Sequence, residues 1–170
     1  RQVDTLSMDG SVEIVRDRKK AVFSDSNFEV KSRLIAEPFL DYGKVVAQRN
    51  EGTRIALDRK ELLGVLGRVK LARSADAKEK SVLVMDLEPG GIGRASMRST
   101  IAQMNEEFSF SGKLEDPLRI GFNLEFLSDA LKSMEEDEVS AWVVGPLSPV
   151  KLIEPQYEAL VLPVKVRGEA

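Results

Sequence analysis

Carboxylates and lysine amines are the side chains of this chain that point most directly to chemistry. Its 170 residues include no histidine and no cysteine. Thiolate nucleophiles, imidazole bases, serine triads built on histidine, and zinc sites of thiolate or imidazole are therefore excluded. Disulfides are excluded too, which fits a reducing compartment. Carboxylate, lysine or magnesium chemistry is what remains for an active site. Two acidic groupings qualify by residue type. Residues 135–138 read Glu-Glu-Asp-Glu, but their spacing is not that of a calcium loop, and an acidic turn between a helix and a strand is simply well solvated. Glu106 and Glu107 read either as a weak metal pair or as an electrostatic partner surface. Pro89-Gly90-Gly91-Ile92-Gly93 has the glycines of a phosphate-cradling loop. It lacks the Lys-Ser/Thr of one and joins two strands, so it reads as a hairpin turn. No catalytic residue, metal site or cofactor is expected.

The cations are more informative. Arg59, Lys60, Arg68, Lys70 and Arg73 stand along one predicted helix and its end, against Glu61 and a capping Asp58, in a chain of net charge −3. The face they form is either a solvated helix surface or a surface for phosphate-backbone contact without sequence readout. Near the other end, Leu160, Val161, Leu162, Pro163 and Val164 form an apolar run whose proline belongs at a strand end or sheet edge. This run reads as a final core strand or as an exposed rim that receives a partner's peptide.

The elements that must carry these residues follow from periodicity. At 42% apolar and 31% charged, the composition is that of an ordinary globular chain, and no apolar run approaches the roughly 18 residues of a membrane span. A short helix is predicted over residues 2–8, stopped by Asp9-Gly10. Strands around Val12 and Ile14 and around Ala21 and Phe23 flank a charged hairpin at 16–20, and a third strand covers 28–34 with the period of two that buries one face. Residues 37–51 read as a linker, with a domain boundary near Val46. A strand at 53–57 leads into a helix with the capping-box pattern Asp58 to Glu61 and an apolar stripe of Leu62, Leu63, Leu66, Val69 and Leu71. Strands follow at 81–87, 93–99 and 106–111, the last with Phe108 and Phe110 inward. The pattern then recurs: a strand at 118–122, an Asn123 cap, a helix facing inward with Leu124, Phe126, Leu127, Ala130, Leu131 and Met134, and strands at 139–144, 150–153 and 159–166. From Thr53 onward the order is thus βαβββ twice, and before Val46 it is the same unit without its first strand. The segments LDRKELLGVLGRV and FNLEFLSDALKSM even share their leucine spacing. The expected fold is α+β, with helices on one face and curved antiparallel sheets on the other. A chain that starts at Arg1, not methionine, reads as a fragment or processed product.

Several stretches resemble the bacterial DNA polymerase III beta subunit family, the replicative sliding clamps. IGFNLEFLSDALKSMEEDEVSAWVVGPLSPVKLIE followed by YEALVLPVKV is similar to the family's C-terminal domain, FLDYGKVV with LDRKELLGVLGRVKLARS to its second interdomain junction, and SVEIVRDRKKAVFSDSNFEVKSRLI to the closing strands of its second domain. The resemblance implies the DNA-clamp fold, with residues 1–45 as the C-terminal half of the second domain and 46–170 as the third. It implies a homodimer ring around duplex DNA that acts as a processivity factor in DNA replication, in the cytoplasm, without catalysis and without a membrane. It implies docking of polymerase, clamp loader and repair proteins through short peptides at Leu40, Lys44, Val45, Leu147, Pro149, Leu160, Leu162, Pro163, Val164 and Lys165. The DNA-facing candidates are Arg59, Arg68, Lys70 and Arg73. The chain departs from the family where Leu40 replaces a proline, where Lys44 and Lys165 replace arginines, and where Arg73 stands in a region the family packs with aliphatic residues. Lysine does not reproduce the arginine fork. Two other readings are a magnesium-dependent enzyme built on the acidic clusters and an α+β protein-binding module unrelated to DNA; fold alone does not separate the latter from a clamp.

Overall fold

The computed structural model describes residues 11–39, 41, 52–73 and 82–166. The chain divides into two compact units, Arg1–Tyr42 and Gly43–Ala170.

The first unit is an antiparallel meander of β1 (Glu13–Arg16), β2 (Lys20–Ser24) and β3 (Glu29–Arg33). Both of its turns are built by an aspartate that bonds its own backbone. The Asp17 carboxylate accepts from the N–H groups of Lys19 and Lys20 at 2.7 and 2.9 Å, and Asp25 does the same for Asn27 and Phe28 at 2.6 and 3.0 Å. The two N–H bonds hold the Asp17 carboxyl below its usual range. The expected charged hairpin is therefore present. The expected buried face is not: among the described residues of this unit only Ala21 is buried, and Ile14 and Val15 are exposed. The described residues of this unit hold three strands and no helix, and three strands by themselves have little against which to bury a face. The expected helix at 2–8 and most of the linker at 37–51 lie outside the described residues.

The second unit runs β4 (Thr53–Asp58), α1 (Arg59–Val69), a 3-10 turn (Lys70–Ala72), β5 (Leu83–Glu88), β6 (Ile92–Arg98) and β7 (Gln103–Ser111). It then repeats as β8 (Leu118–Phe122), α2 (Leu124–Lys132), β9 (Glu138–Val143), β10 (Val150–Glu154) and β11 (Tyr157–Val161). The predicted double βαβββ order is the observed one. The strands form one antiparallel sheet in the order β11-β10-β9-β4-β7-β6-β5-β8. Its ends come together: after β11 the chain crosses to β8, where the Val164 N–H donates to the Gly121 carbonyl at 2.7 Å. The seam between β4 and β7 is nearly as slight, with only Ala56 opposite Ser111 and Leu57 opposite Phe110. Ala56 and Gly121 each stand two residues before a helix N-cap, so the two repeats are closed at equivalent points. A Cβ on Gly121 would fall 2.4 Å from the Val164 carbonyl oxygen, so the crossing needs glycine there.

Each helix starts where the sequence says. Asp58 accepts from the Glu61 N–H at 2.8 Å, and Asn123 accepts from the Glu125 N–H at 2.9 Å. These caps satisfy helix donors that have no partner within the helix. The expected capping box is only half formed, because the Glu61 carboxylate accepts from the Ser109 N–H at 3.3 Å and so ties α1 to β7. Leu62, Leu66 and Val69 of the first repeat and Leu127, Leu131 and Met134 of the second take matching places in one core, with Phe108 and Phe110 among the residues they join. Two stripe residues are corrected. Leu71 is 77% exposed because the helix tightens into the 3-10 turn and Ala72 takes the inward position; Phe126 is 67% exposed, and Ser128, outside the expected stripe, is buried in its helix. The last strand ends at Val161, short of the expected 166, where Pro163 has no N–H to give to a ladder. Gly90 and Gly91, at φ of +112° and +87°, make the β5–β6 turn, so the glycine run is the hairpin its context implied.

Candidate functional site

The helices pack beside each other, and their exposed surface carries the cations. Arg68 Nε lies 2.9 Å from a Glu106 carboxylate oxygen on β7. Lys70 and Arg73 converge on Glu125 in the first turn of α2, Lys70 at 3.3 Å. All three cationic side chains are about half exposed. The hydrogen bond from Lys70, then the charges of Lys70 and Arg73, hold the Glu125 carboxyl below its usual range. Exposed pairs of this kind are worth under about 1 kcal/mol each. An anion arriving at this face therefore competes with single surface carboxylates, not with a buried network. Arg59 is different, and this corrects its expected place among the exposed cations. Its guanidinium donates to the Glu136 and Glu135 carbonyls at 2.6 and 3.1 Å, and its side chain is only 16% exposed.

The same contacts explain the acidic run at 135–138. The Glu135 and Glu136 N–H groups donate to the Glu154 carboxylate at 3.0 Å, and Asp137 pairs with Lys60 at 2.8 Å. The Lys60 hydrogen bond lowers the Asp137 pKa. The run thus fastens the loop between α2 and β9. Glu106 and Glu107 go separately to Arg68 and Arg94. Among the described residues no group of three or more carboxylates is placed to hold a metal ion.

The docking candidates gather around the tail. Leu147 and Leu162 are 63% and 64% exposed, Val164 and Lys165 are exposed, and Pro149, Leu160 and Pro163 are half-buried. Leu160 and Leu162 flank the buried Val161 and so share the outward side of the chain. Leu147 and Lys165 line one open groove of about 960 Å³ together with Pro146, Val166 and the outward side chains of β5, β6, β7 and β8. Leu40, Lys44 and Val45 lie outside the described residues. The residues that periodicity alone missed are Arg94, Arg98 and Arg119, which come to the groove from separate strands. Strand register was the only signal that could have found them. Among the described residues no helix is long and apolar enough to cross a membrane.

A curled antiparallel sheet of two βαβββ repeats, seamed at equivalent points around two adjacent helices, is the architecture of sliding-clamp domains. Solved structures show the same fold. The DNA polymerase sliding clamp of Caulobacter crescentus superposes with a TM-score of 0.74 at 22% identity, over 91% of this chain and 41% of that one. The DNA polymerase III subunit beta of Pseudomonas aeruginosa gives 0.74 at 21% identity, over 96% and 44%. The profile for the C-terminal domain of the DNA polymerase III beta subunit matches residues 45–165, and the chain belongs to that family. It is 25% identical over 177 residues to the beta sliding clamp of Synechococcus elongatus and 27% identical over 181 residues to that of Rickettsia bellii. Those alignments cover 99% and 96% of this chain but 45% of each relative, so the chain spans about half the length of the curated relatives it matches.

Proposed function

We propose that this chain is part of a sliding clamp, with residues 1–45 from the second domain and 46–170 as the third, and that the whole protein tethers a polymerase to duplex DNA without catalysing a reaction. In this reading two copies close a ring around DNA in the cytoplasm. Arg68, Lys70 and Arg73 touch phosphates, and replication and repair proteins dock short peptides on the tail. The observation that carries the reading is the family match over the doubled βαβββ domain. Three features support it. Arg68, Lys70 and Arg73 are loosely paired and belong to one helix and its end, which suits weak contacts that let DNA slide. The side of β7 away from β6 has no ladder partner before Phe110, and the side of β11 away from β10 has none, among the described residues; a ring needs such edges to join its neighbours. The β9–β10 loop and the tail keep Leu147, Leu162 and Val164 in solvent although each is large and apolar, as a surface that waits for apolar anchors would.

The test is fluorescence anisotropy of a labelled peptide with a Leu-Phe anchor, titrated with the chain and with Leu162→Asp. Because Leu162 is exposed, the substitution leaves the core intact. Saturable binding that weakens at least tenfold in the variant, about 1.4 kcal/mol, is the expected result. Equal affinity for both proteins, or no binding to either, would remove peptide docking from the proposal.

A further inference from the structure

We propose that the docking surface continues from the tail across the outward side of β10 onto β9, where Trp142 and Val144 receive a second apolar anchor of the same peptide. This rests on the peptide-docking reading and adds where a further anchor sits and how far it stands from the first. The surface follows from strand register. Trp142, Lys151 and Leu160 stand opposite one another across β9, β10 and β11. Their chain neighbours Ala141, Val143, Val150, Leu152 and Val161 face the core, so these three lie on the outward side. One step further, at the strand ends, Val144, Pro149 and Leu162 continue that side. Val144 is 53% and Leu162 64% exposed, while Trp142, Pro149 and Leu160 are half-buried. Glycine keeps the far end open. Thr53 stands opposite Val143, and a Cβ on the preceding Gly52 would come within 2.8 Å of a Val144 methyl.

Lys151 sets the character of this surface. A lysine in the middle of an outward patch ordinarily carries its ammonium into water. Here the residue is 7% exposed, and its Nζ lies 2.8 Å from the Glu158 carboxylate. Glu158 stands opposite Ile153, so the charge is met from the side of the β10–β11 turn, away from Val144, Pro149 and Leu162. The ammonium is already out of water in the free chain. An apolar ligand laid over the patch therefore strips no solvent from an open charge.

Spacing identifies the occupant. The surface is the face of a sheet and not its edge, so a bound chain finds no ladder to join. β9 and β11 are two strand spacings apart, about 9–10 Å. A polyproline II segment keeps its own backbone solvated and brings every third side chain to the same side, about 9.3 Å apart. Its anchors at i and i+3 thus match Leu162 on one side and Val144 with Trp142 on the other. Arg54, opposite Trp142 on β4, and Glu158 border the strip, which leaves it the width of a chain segment and not of the apolar face of a stable dimer.

Three peptides without tryptophan test this. All carry the Leu-Phe anchor. Two have a further leucine, three residues before the pair or three residues after it, because the surface does not set the direction of the peptide. The third has serine at both places. One of the leucine peptides should bind about tenfold tighter than the serine peptide, by anisotropy of labelled copies. Unlabelled, it should also shift the emission of Trp142, the single tryptophan of the chain, to the blue as the indole leaves water. Val144→Asp should abolish the advantage and keep the affinity for the serine peptide, which also reports that the variant is folded. Equal affinity of all three peptides, an advantage that survives in Val144→Asp, or an emission indifferent to the tighter peptide would overturn the second anchor while leaving docking at the tail in place. Failure of all three to bind would instead overturn the docking reading and this inference with it. An emission that shifts with chain concentration in the absence of peptide would assign the patch to a second copy of the chain and overturn the peptide as its occupant.

Discussion

The two βαβββ repeats have the same plan and different surfaces. Where α1 presents Gly64, Gly67 and Arg68, the matching places are Asp129 and Lys132 of α2 and its C-cap Ser133. A Cβ on Gly67 would meet nothing within 4 Å, and one on Gly64 only the Arg68 guanidinium, so packing does not call for glycine at either place. Each costs the helix about 0.5–1 kcal/mol relative to alanine. The inward side differs little: Leu62 matches Leu127, Leu66 matches Leu131, and every one of these is buried. The repeats therefore share what encloses the core and diverge in what meets a partner. A low-relief helix that ends in cations belongs to one repeat. An apolar tail that crosses to the opposite sheet edge belongs to the other.

Breaking the shared part should hurt both repeats alike. Leu66→Ala and Leu131→Ala each delete a side chain that is at most 1% exposed, and each should cost about 2–5 kcal/mol, from lost burial and the cavity left behind. Urea unfolding checks this. If one variant stays within a few tenths of a kcal/mol of the unaltered chain, the two helices do not share one core. The seams give a smaller and unequal effect. Gly121→Ala puts a Cβ against the Val164 carbonyl and should cost about 1–3 kcal/mol as the tail is pushed away, whereas Ala56→Gly at the other seam costs about 0.5–1 kcal/mol by backbone entropy alone. Hydrogen exchange should show the Val164 amide losing protection in Gly121→Ala only. A protected Val164 in that variant would mean that the crossing does not depend on glycine.

The shared plan was legible in sequence for physical reasons. Helix starts are local: Asp58 and Asn123 each bond a backbone N–H two or three residues on, so cap and stripe are read together. The repeat was legible because the same local signals recur in the same order. The exceptions are decided at longer range. Leu71 and Phe126 fit an apolar stripe by spacing, but a 3-10 turn rotates the one outward, and the other faces solvent on the first turn of α2. Glu61 fits a capping box until Ser109 on a distant strand offers an N–H. Arg59 fits a basic face until the Glu135 and Glu136 carbonyls arrive from the loop after the other repeat's helix. The groove of Arg94, Arg98 and Arg119 depends on which strand neighbours which, and a single sequence gives no strand order.

The smallest effect concerns a place where the surfaces of the two repeats meet. Glu125 of the second repeat holds Lys70 and Arg73, which follow the helix of the first. If these cations serve DNA, Glu125 restrains them, and opposite substitutions should move binding in opposite directions. Lys70→Glu with Arg73→Glu should flatten the dependence of log K on log salt by about 0.9 for each phosphate no longer neutralised. Glu125→Gln should steepen it and tighten binding by a few-fold, because exposed pairs of this kind are worth well under about 1 kcal/mol each. Filter binding or anisotropy of a short duplex between low and moderate salt reads both changes. A slope indifferent to all three substitutions would take Lys70 and Arg73 out of the DNA-facing surface. A change in Glu125→Gln alone would mean that the carboxylate repels DNA directly, and the cations beside it would then be holding the two helices together.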